Sequence, residues 1–277
     1  MPRCRSALRK GPFQLLSVTC SVPYRHLWSP EHLSGAELHA LLDAADEVKH
    51  AKQRDPAWAP LRGRKVALLA AGRKEGIAMP FERAVRELGG TVTLLNPKAW
   101  QSHRGAPVAA DARMLGRLYD AVDCGGLPPA VVEQIDADSG VPVFNGVAEP
   151  QHPLMGAIGA LLTMREVAAR PLAGLCLQIH GDALAGRPRA AAALARLAGI
   201  TVQPPVELGV GVAADVGAGD GVAADAPDFI FEPSPVPGAA DRLIVPDATI
   251  EQQARVAALL QANTLSALQA LMVCTVH

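Results

Sequence analysis

The chain has 277 residues, of which 49% are hydrophobic and 19% are charged, and its formal net charge is −1. This length suits one large domain or two α/β domains, and the balanced charge gives no electrostatic reason to expect a nucleic-acid partner. The five cysteines are scattered without a Cys-x-x-Cys pair, which predicts reduced thiols in a cytoplasmic protein. We identify no metal or cofactor motif. No uninterrupted apolar run is long enough to span a bilayer, so no membrane partner is expected.

Residues 1–24 differ in composition from the rest of the chain. Four basic residues lie here before a mildly apolar segment, and the first acidic residue is Glu31. That charge pattern is typical of a targeting peptide, but several Ser, Thr and Gln residues interrupt the apolar segment. A disordered arm, a misplaced start codon and a targeting leader are the three interpretations of this segment.

From residue 26 onward, short apolar runs alternate with segments of helical periodicity, the pattern of an α/β protein with parallel sheets. The predicted strands are Val66–Ala71, Thr91–Leu95, Tyr119–Asp123, Val141–Phe144, Leu175–His180, Ile200–Gln203 and Asp228–Phe231. The predicted helices are 34–52, the segment around Phe81–Leu88, Ala109–Leu118, Pro128–Asp138, 153–170, Ala190–Leu197 and Thr249–Met272. The stretch Val206–Ala226 has neither helical nor strand periodicity, which predicts a flexible connection.

The segment from Gly140 to Glu166 carries the clearest functional signal. A short apolar strand ends in the turn Asn145-Gly146, and a polar loop then leads through His152 into a helix beginning at Pro153. Proline suits the first position of a helix because its missing N–H would be unpaired there. This order places His152 at the carboxyl edge of a sheet, where open α/β sheets bind small ligands.

The same segment resembles the ornithine and aspartate carbamoyltransferases, which read VPVINGL, then HPxQ, then DLLT and RE. The matching residues are Val141–Gly146, His152-Pro153, Leu161–Thr163 and Arg165-Glu166. The Leu-Leu-Thr version favours the ornithine branch, and weaker matches extend over about residues 26–272. The resemblance implies two Rossmann-like parallel-sheet lobes, with a C-terminal helix that returns to the first lobe, and a homotrimer.

The resemblance also implies a division of the chain into lobes. A carbamoyl-phosphate-type lobe would comprise residues 25–150 together with the returning helix, 249–277. A shortened amino-acid-binding lobe would comprise residues 151–248. Residues 1–24 would stand outside both lobes as an arm or leader.

Most of the side chains with which the family holds its substrates are replaced in this sequence. The replaced phosphate-binding, carbamoyl-binding and amino-acid-binding positions are Lys74–Ala78, Gly125 or Gly126, Met155, Ala183–Ala185 and Pro233. A charged hydrogen bond in a binding site contributes roughly 1.5–3 kcal/mol, so losing several would abolish useful affinity. The scaffold residues are kept while the polar ligands are lost.

The surviving polar groups define a candidate site. His152 is the catalytic candidate, because the family's equivalent donates to the carbamoyl oxygen, and the binding candidates are Arg73, Lys74, Asn145 and Asp182. The simpler interpretation is a structural loop histidine and two solvated loop cations.

Two functions follow from these residues. The first is a carbamoyltransferase-like pseudoenzyme with an interaction or regulatory role. The alternative is an active carbamoyltransferase or a small-molecule binder with an altered amino-acid or phosphate-type ligand.

Overall fold

The computed structural model of this chain describes residues 22–69, 80–96, 106–149, 152–181, 186–203, 226–234 and 241–276. Within these ranges the strands are β1 Lys65–Leu69, β2 Thr91–Leu95, β3 Ala121–Cys124, β4 Val143–Phe144, β5 Cys176–Ile179, β6 Thr201–Gln203, β7 Phe229–Glu232 and β8 Arg242–Ile244. The α-helices are α1 Gly35–Arg54, α2 Pro80–Glu87, α3 Ala106–Leu118, α4 Pro129–Ser139, α5 Pro153–Ala168, α6 Gly186–Leu197 and α7 Ile250–Thr275.

The first half of the chain forms a four-stranded sheet in the order β2-β1-β3-β4, with every pair of strands parallel. β1 and β3 lie in the middle, and all their residues except Lys65 are buried. Strands buried on both faces are expected to be apolar throughout. Asp123 in β3 is therefore a notable exception, because it is charged and fully buried.

The second half forms a four-stranded sheet in the order β6-β5-β7-β8. β5 is parallel to β6 and β7, whereas β8 runs antiparallel to β7. The predicted two-lobed α/β architecture is confirmed, but β8 was not predicted. Its three residues, Arg-Leu-Ile, are too few to show a period of two.

Several element boundaries differ from the predictions by a few residues. α3 begins at Ala106 instead of Ala109, and α6 begins at Gly186 instead of Ala190. The strand predicted from Val141 is reduced to Val143–Phe144. Helix ends and short strands depend on capping and pairing, which local periodicity does not encode.

The N-terminal residues that the structure describes pack onto the first lobe. Val22 is buried, and Tyr24–Trp28 form a short 3-10 helix. The hydroxyl of Tyr24 donates to Asp136 at 2.7 Å, and Arg25 pairs with the same carboxylate. Residues 1–21 and the predicted connection Val206–Ala226, apart from Ala226 itself, lie outside the described ranges.

Helix α7 returns from the second sheet to the first lobe, as predicted. Thr249 caps its first turn, and Gln252 completes the reciprocal capping box. The helix packs on α5, α1 and α2. Because it contacts elements of both halves, α7 ties the two lobes together.

By length and apolar composition, α7 is the one helix among the described residues that could cross a membrane. However, 61% of its most apolar window is buried inside the protein. The core helix of a folded domain has the same character, so the packing of α7 accounts for its composition.

A buried polar network holds α1, α5 and α7 together. Asn263 is fully buried, and its amide nitrogen donates to Thr163 at 3.1 Å and to Glu166 at 3.3 Å. Its oxygen accepts from Lys49 Nζ at 2.9 Å, and Lys49 also pairs with Glu166. Removing one member of such a network leaves buried polar groups without partners.

We expect Asn263→Ala to lower the free energy of unfolding by about 2 kcal/mol, because the hydroxyl and ionic groups around it lose their partner. Gln261→Ala is the matched control, since Gln261 is exposed on the same helix. Urea denaturation of both variants measures the difference. Equal losses in the two variants would show that the network contributes nothing specific.

Candidate functional site

His152 lies immediately before α5 and is 7% exposed. Its backbone N–H donates to the carbonyl of Glu149 at 2.9 Å. Burial lowers the pKa of the imidazole from 6.5 to about 4, so the ring is neutral at physiological pH. Its Nδ1 is buried and has no hydrogen-bond partner among the described residues. A neutral, unpartnered ring nitrogen can exchange a hydrogen bond with a ligand but cannot neutralise an anion.

The loop between β4 and His152 is held by the carboxylate of Asp123. The backbone N–H groups of Val147 and Ala148 donate to its two oxygens at 2.9 and 3.1 Å. Burial raises the pKa of Asp123 to about 7; these hydrogen bonds oppose the rise, and the nearby charge of Glu149 adds to it. Asp123 therefore positions the loop that leads to His152.

Glu149 lies beside Gly125 and Gly126, the two positions at which the family resemblance implies a cationic ligand. A Cβ atom built on Gly125 would lie 2.8 Å from Glu149 Oε1 and 3.3 Å from the carbonyl of Leu69. A side chain at Gly125 would therefore require the exposed carboxylate of Glu149 to shift. Next to Gly125, at the carboxyl end of β3, the structure places two acidic side chains, Asp123 and Glu149.

The structure brings together only part of the predicted site. Asn145 follows β4 directly and is half-buried, at the start of the loop that Asp123 holds. Arg73, Lys74 and Asp182 lie outside the described residues. Whether Arg73 and Lys74 face His152 therefore stays a prediction.

A buried ion pair lies at the carboxyl edge of the second sheet. Arg187, near the start of α6, pairs with Asp241 at 2.5 Å, and their side chains are 14% and 7% exposed. Arg187 also donates to the carbonyl of Ser234, and the N–H of Ser234 donates to Asp241 at 3.0 Å. The guanidinium of Arg187 is therefore already bonded to groups of the chain itself.

Helix α5 connects the edges of the two sheets. A Cβ atom on Gly156 would lie 2.5 Å from Asp241 Oδ2, so α5 and Asp241 are in direct contact. Gly156 is four residues after His152, and residues four apart share one face of a helix. The Arg187–Asp241 pair therefore lies one helical turn along α5 from His152.

A second polar pair lies at the same edge of the second sheet. His180 Nδ1 is 2.9 Å from Glu232 Oε1, and the other oxygen of Glu232 accepts from Arg242 at 3.0 Å. All three side chains are partly exposed. This cluster follows the ends of β5 and β7, where a ligand would approach the sheet.

Sequence reasoning missed these charged residues at the sheet edges. A carboxylate inside the apolar run Ala-Val-Asp-Cys was a usable signal for Asp123, because such a residue needs partners when it is buried. Arg187 follows a Gly-Asp turn and a glycine, which is a weaker signal. Asp241 and Glu149 carry no local pattern, because their partners are distant in sequence.

The described cysteines Cys124, Cys176 and Cys274 form no disulfide with one another. Among the described residues, no group of three or more His, Cys, Asp or Glu side chains is arranged to hold a metal ion.

We expect the free energy of unfolding of Asp123→Asn, relative to wild type, to rise by about 2–3 kcal/mol from about pH 5 to about pH 8. Folding raises the pKa of Asp123, so the folded state keeps a proton that the unfolded chain releases above its ordinary pKa. Wild-type stability therefore falls with increasing pH until the folded pKa of about 7 is passed. The neutral amide does not titrate. Urea unfolding across this range measures the difference.

Asp120→Asn is the control for this experiment. Burial would raise the pKa of Asp120, but the N–H of Lys65 and the guanidinium of Arg64 outweigh it and lower the pKa. Asp120 is thus ionised in both states above about pH 5, and its stability difference should be flat. A flat profile for Asp123→Asn as well would contradict the prediction.

Comparison with known proteins places the chain in a family. The sequence model described as "Aspartate/ornithine carbamoyltransferase, carbamoyl-P binding domain" matches residues 25–166, just over half of the chain. The catabolic ornithine carbamoyltransferase of Pseudomonas putida is 35% identical over 159 residues, which are 57% of this chain and 47% of that protein. The catabolic ornithine carbamoyltransferase of Burkholderia mallei is 33% identical with the same coverage. The match thus spans about half the length of these curated relatives.

Solved structures show the same fold. The ornithine carbamoyltransferase of Thermus thermophilus superposes with a TM-score of 0.52 and 28% identity, over 64% of this chain and 60% of that one. The aspartate transcarbamoylase of Trypanosoma cruzi in complex with N-(phosphonacetyl)-L-aspartic acid covers 96% of this chain and 99% of its own, with a TM-score of 0.59. Its identity of 16% makes this a likeness of fold alone. The chain belongs to the aspartate/ornithine carbamoyltransferase family and has its two-lobed α/β fold.

Proposed function

We propose that this protein is a carbamoyltransferase-like pseudoenzyme, which keeps the family scaffold for an interaction or regulatory role and no longer binds carbamoyl phosphate and ornithine. The observation that carries the proposal is the position of Glu149. Its carboxylate lies against Gly125, where an active relative would need a cation for the carbamoyl or phosphate group.

Electrostatics at this edge of the first sheet oppose a phosphate dianion. Asp123 and Glu149 lie close enough for the charge of Glu149 to raise the pKa of Asp123. A dianion placed beside Glu149 would meet a like charge, which opposes its binding unless cations compensate. His152 is neutral and supplies no such compensation.

The second lobe is equally unsuited to an amino-acid substrate such as ornithine. Leu184 and Pro233 stand where the family resemblance puts hydrogen-bonding groups. The guanidinium of Arg187 is already paired with Asp241 and the carbonyl of Ser234. A carboxylate ligand would have to displace Asp241 from a buried ion pair, and breaking such a pair is costly.

The retained parts are those that maintain the architecture. The Asn263 network, the Asp123 loop and the returning α7 all stabilise the fold without needing substrate.

We propose that the lobes comprise residues 25–150 with 249–277, and 151–248, and that the protein assembles as a cytoplasmic homotrimer. Light scattering after gel filtration should give three times the chain mass of 28.9 kDa. A monomeric mass across a tenfold range of protein concentration would contradict the assembly.

A second candidate is a small-molecule binder or an active carbamoyltransferase with an altered substrate. The buried Nδ1 of His152, unpartnered among the described residues, favours it, because buried polar atoms normally have partners. In this case Arg73, Lys74 or a neighbouring subunit would supply the missing positive charge, and Asp182 would contribute on the amino-acid side.

The experiment that tests the proposal is citrulline formation from carbamoyl phosphate and ornithine at millimolar concentrations, together with calorimetric titration of carbamoyl phosphate. We expect no turnover and no saturable binding. Turnover that co-purifies with the protein and is lost in His152→Ala would overturn the pseudoenzyme proposal and support the second candidate.

Glu149→Gln sharpens the test. Removing the carboxylate beside Gly125 abolishes the like-charge repulsion, but we still expect no saturable binding of carbamoyl phosphate, because the cationic ligands of the phosphate remain absent. It should not produce citrulline, because the amino-acid side still lacks its ligands. Citrulline formation by this variant would show that a single carboxylate, and not loss of the site, silences the protein.

A further inference from the structure

A polar groove lies between α1, α2 and α7, on a part of the molecule that the candidate site does not include. Its volume is about 390 Å³, within the range of small-molecule sites. Lys49, Lys52, Arg83 and Glu87 line it from α1 and α2, and Gln261 and Gln269 line it from α7. The groove is therefore built from both chain segments that meet in the first lobe.

The charge of this lining is unbalanced. Three cationic side chains, Lys49, Lys52 and Arg83, face one carboxylate, Glu87. Glu166 reaches Lys49 from outside the lining, at 2.8 Å. The whole chain has a net charge of −1, so this concentration of positive charge is local.

Glu87 is already saturated with donors. It accepts hydrogen bonds from Lys52, from Arg83 Nε at 2.6 Å and from Gln269 at 2.9 Å. Burial would raise the pKa of Glu87, but these contacts outweigh it and lower the pKa to about 2. The carboxylate is thus ionised at physiological pH and cancels one of the three positive charges, and Glu166 cancels a second through Lys49, so one positive charge remains.

The cations retain hydrogen-bond donors beyond those contacts. Each ammonium group carries three N–H bonds. Among the described residues, Lys49 bonds to Glu166 and Asn263, and Lys52 bonds to Glu87 and Gln269. Arg83 contacts Glu87 through Nε, and its terminal N–H groups have no partner within the described ranges, so they can serve a ligand. Several charged donors around one groove suit an anion with several acceptor oxygens.

We propose that the groove between α1, α2 and α7 binds a small, multiply charged anion of the phosphate type, such as a phosphomonoester or a diphosphate group. The anion would share Lys49, Lys52 and Arg83 with the existing carboxylates, and the exposed amide of Gln261 would donate a further hydrogen bond. A ligand in this position would bridge α1 and α2 to the helix that joins the two lobes.

Calorimetric titration with inorganic pyrophosphate, at constant ionic strength set with sodium chloride, tests this site. We expect saturable binding that Arg83→Gln weakens at least fivefold and Arg86→Gln leaves unchanged. The two arginines are a matched pair, since they lie on the same helix, are 65% and 60% exposed, and each pairs with a glutamate four residues away. Only Arg83 lines the groove.

Glu87→Gln supplies a test in the opposite direction. It removes the competing carboxylate while keeping the shape and an amide, so we expect at least threefold tighter binding, a gain that loss of folding cannot produce. His152→Ala should leave pyrophosphate binding unchanged, because the groove does not involve the candidate site. Absence of binding in wild type, equal losses in Arg83→Gln and Arg86→Gln, or loss in His152→Ala would each overturn the proposal.

Discussion

The buried carboxylate of Asp123 is the constraint on which the candidate site depends. A charged group in the central strand of a parallel sheet must find partners, and Asp123 finds them in the N–H groups of Val147 and Ala148. This contact sets the path of the loop after β4, and with it the position of Glu149 and the entry of the chain into α5 at His152. Glu149 in turn charges the carboxyl end of β3 negatively.

The two sheet edges approach each other around the first turn of α5. In this chain the charged side chains at both edges are paired with one another or lie close to like charges. Arg187 is satisfied by Asp241, Glu232 by His180 and Arg242, and Asp123 by backbone donors. These polar groups thus have partners within the chain itself. A scaffold maintained by internal ion pairs is consistent with the pseudoenzyme proposal.

Helix α7 also has residues that hold the fold together and others that line a groove. Its apolar face fills the space between the lobes, and the Asn263 network fixes it against α1 and α5. The groove shares Lys49 with this network, and its three cations exceed by one the charge that Glu87 and Glu166 cancel. The groove therefore has positive charge that no carboxylate cancels, whereas the charged side chains described at the sheet edges form pairs.

The sequence by itself determined the family, the two α/β lobes and most helices and strands, because hydrophobic period and capping residues are local. Ser34 with Glu37 at the start of α1 and Thr249 at the start of α7 are examples of such signals. It also identified His152 at the carboxyl edge of the first sheet. Tertiary structure alone decided that this histidine is buried and neutral, and that Glu149 lies against Gly125. Tertiary structure alone also decided that Asp241 forms an ion pair with Arg187, and that β8 pairs antiparallel with β7. These features arise from contacts between residues far apart in the chain, where burial and charge proximity act, and no local pattern of residue types encodes them.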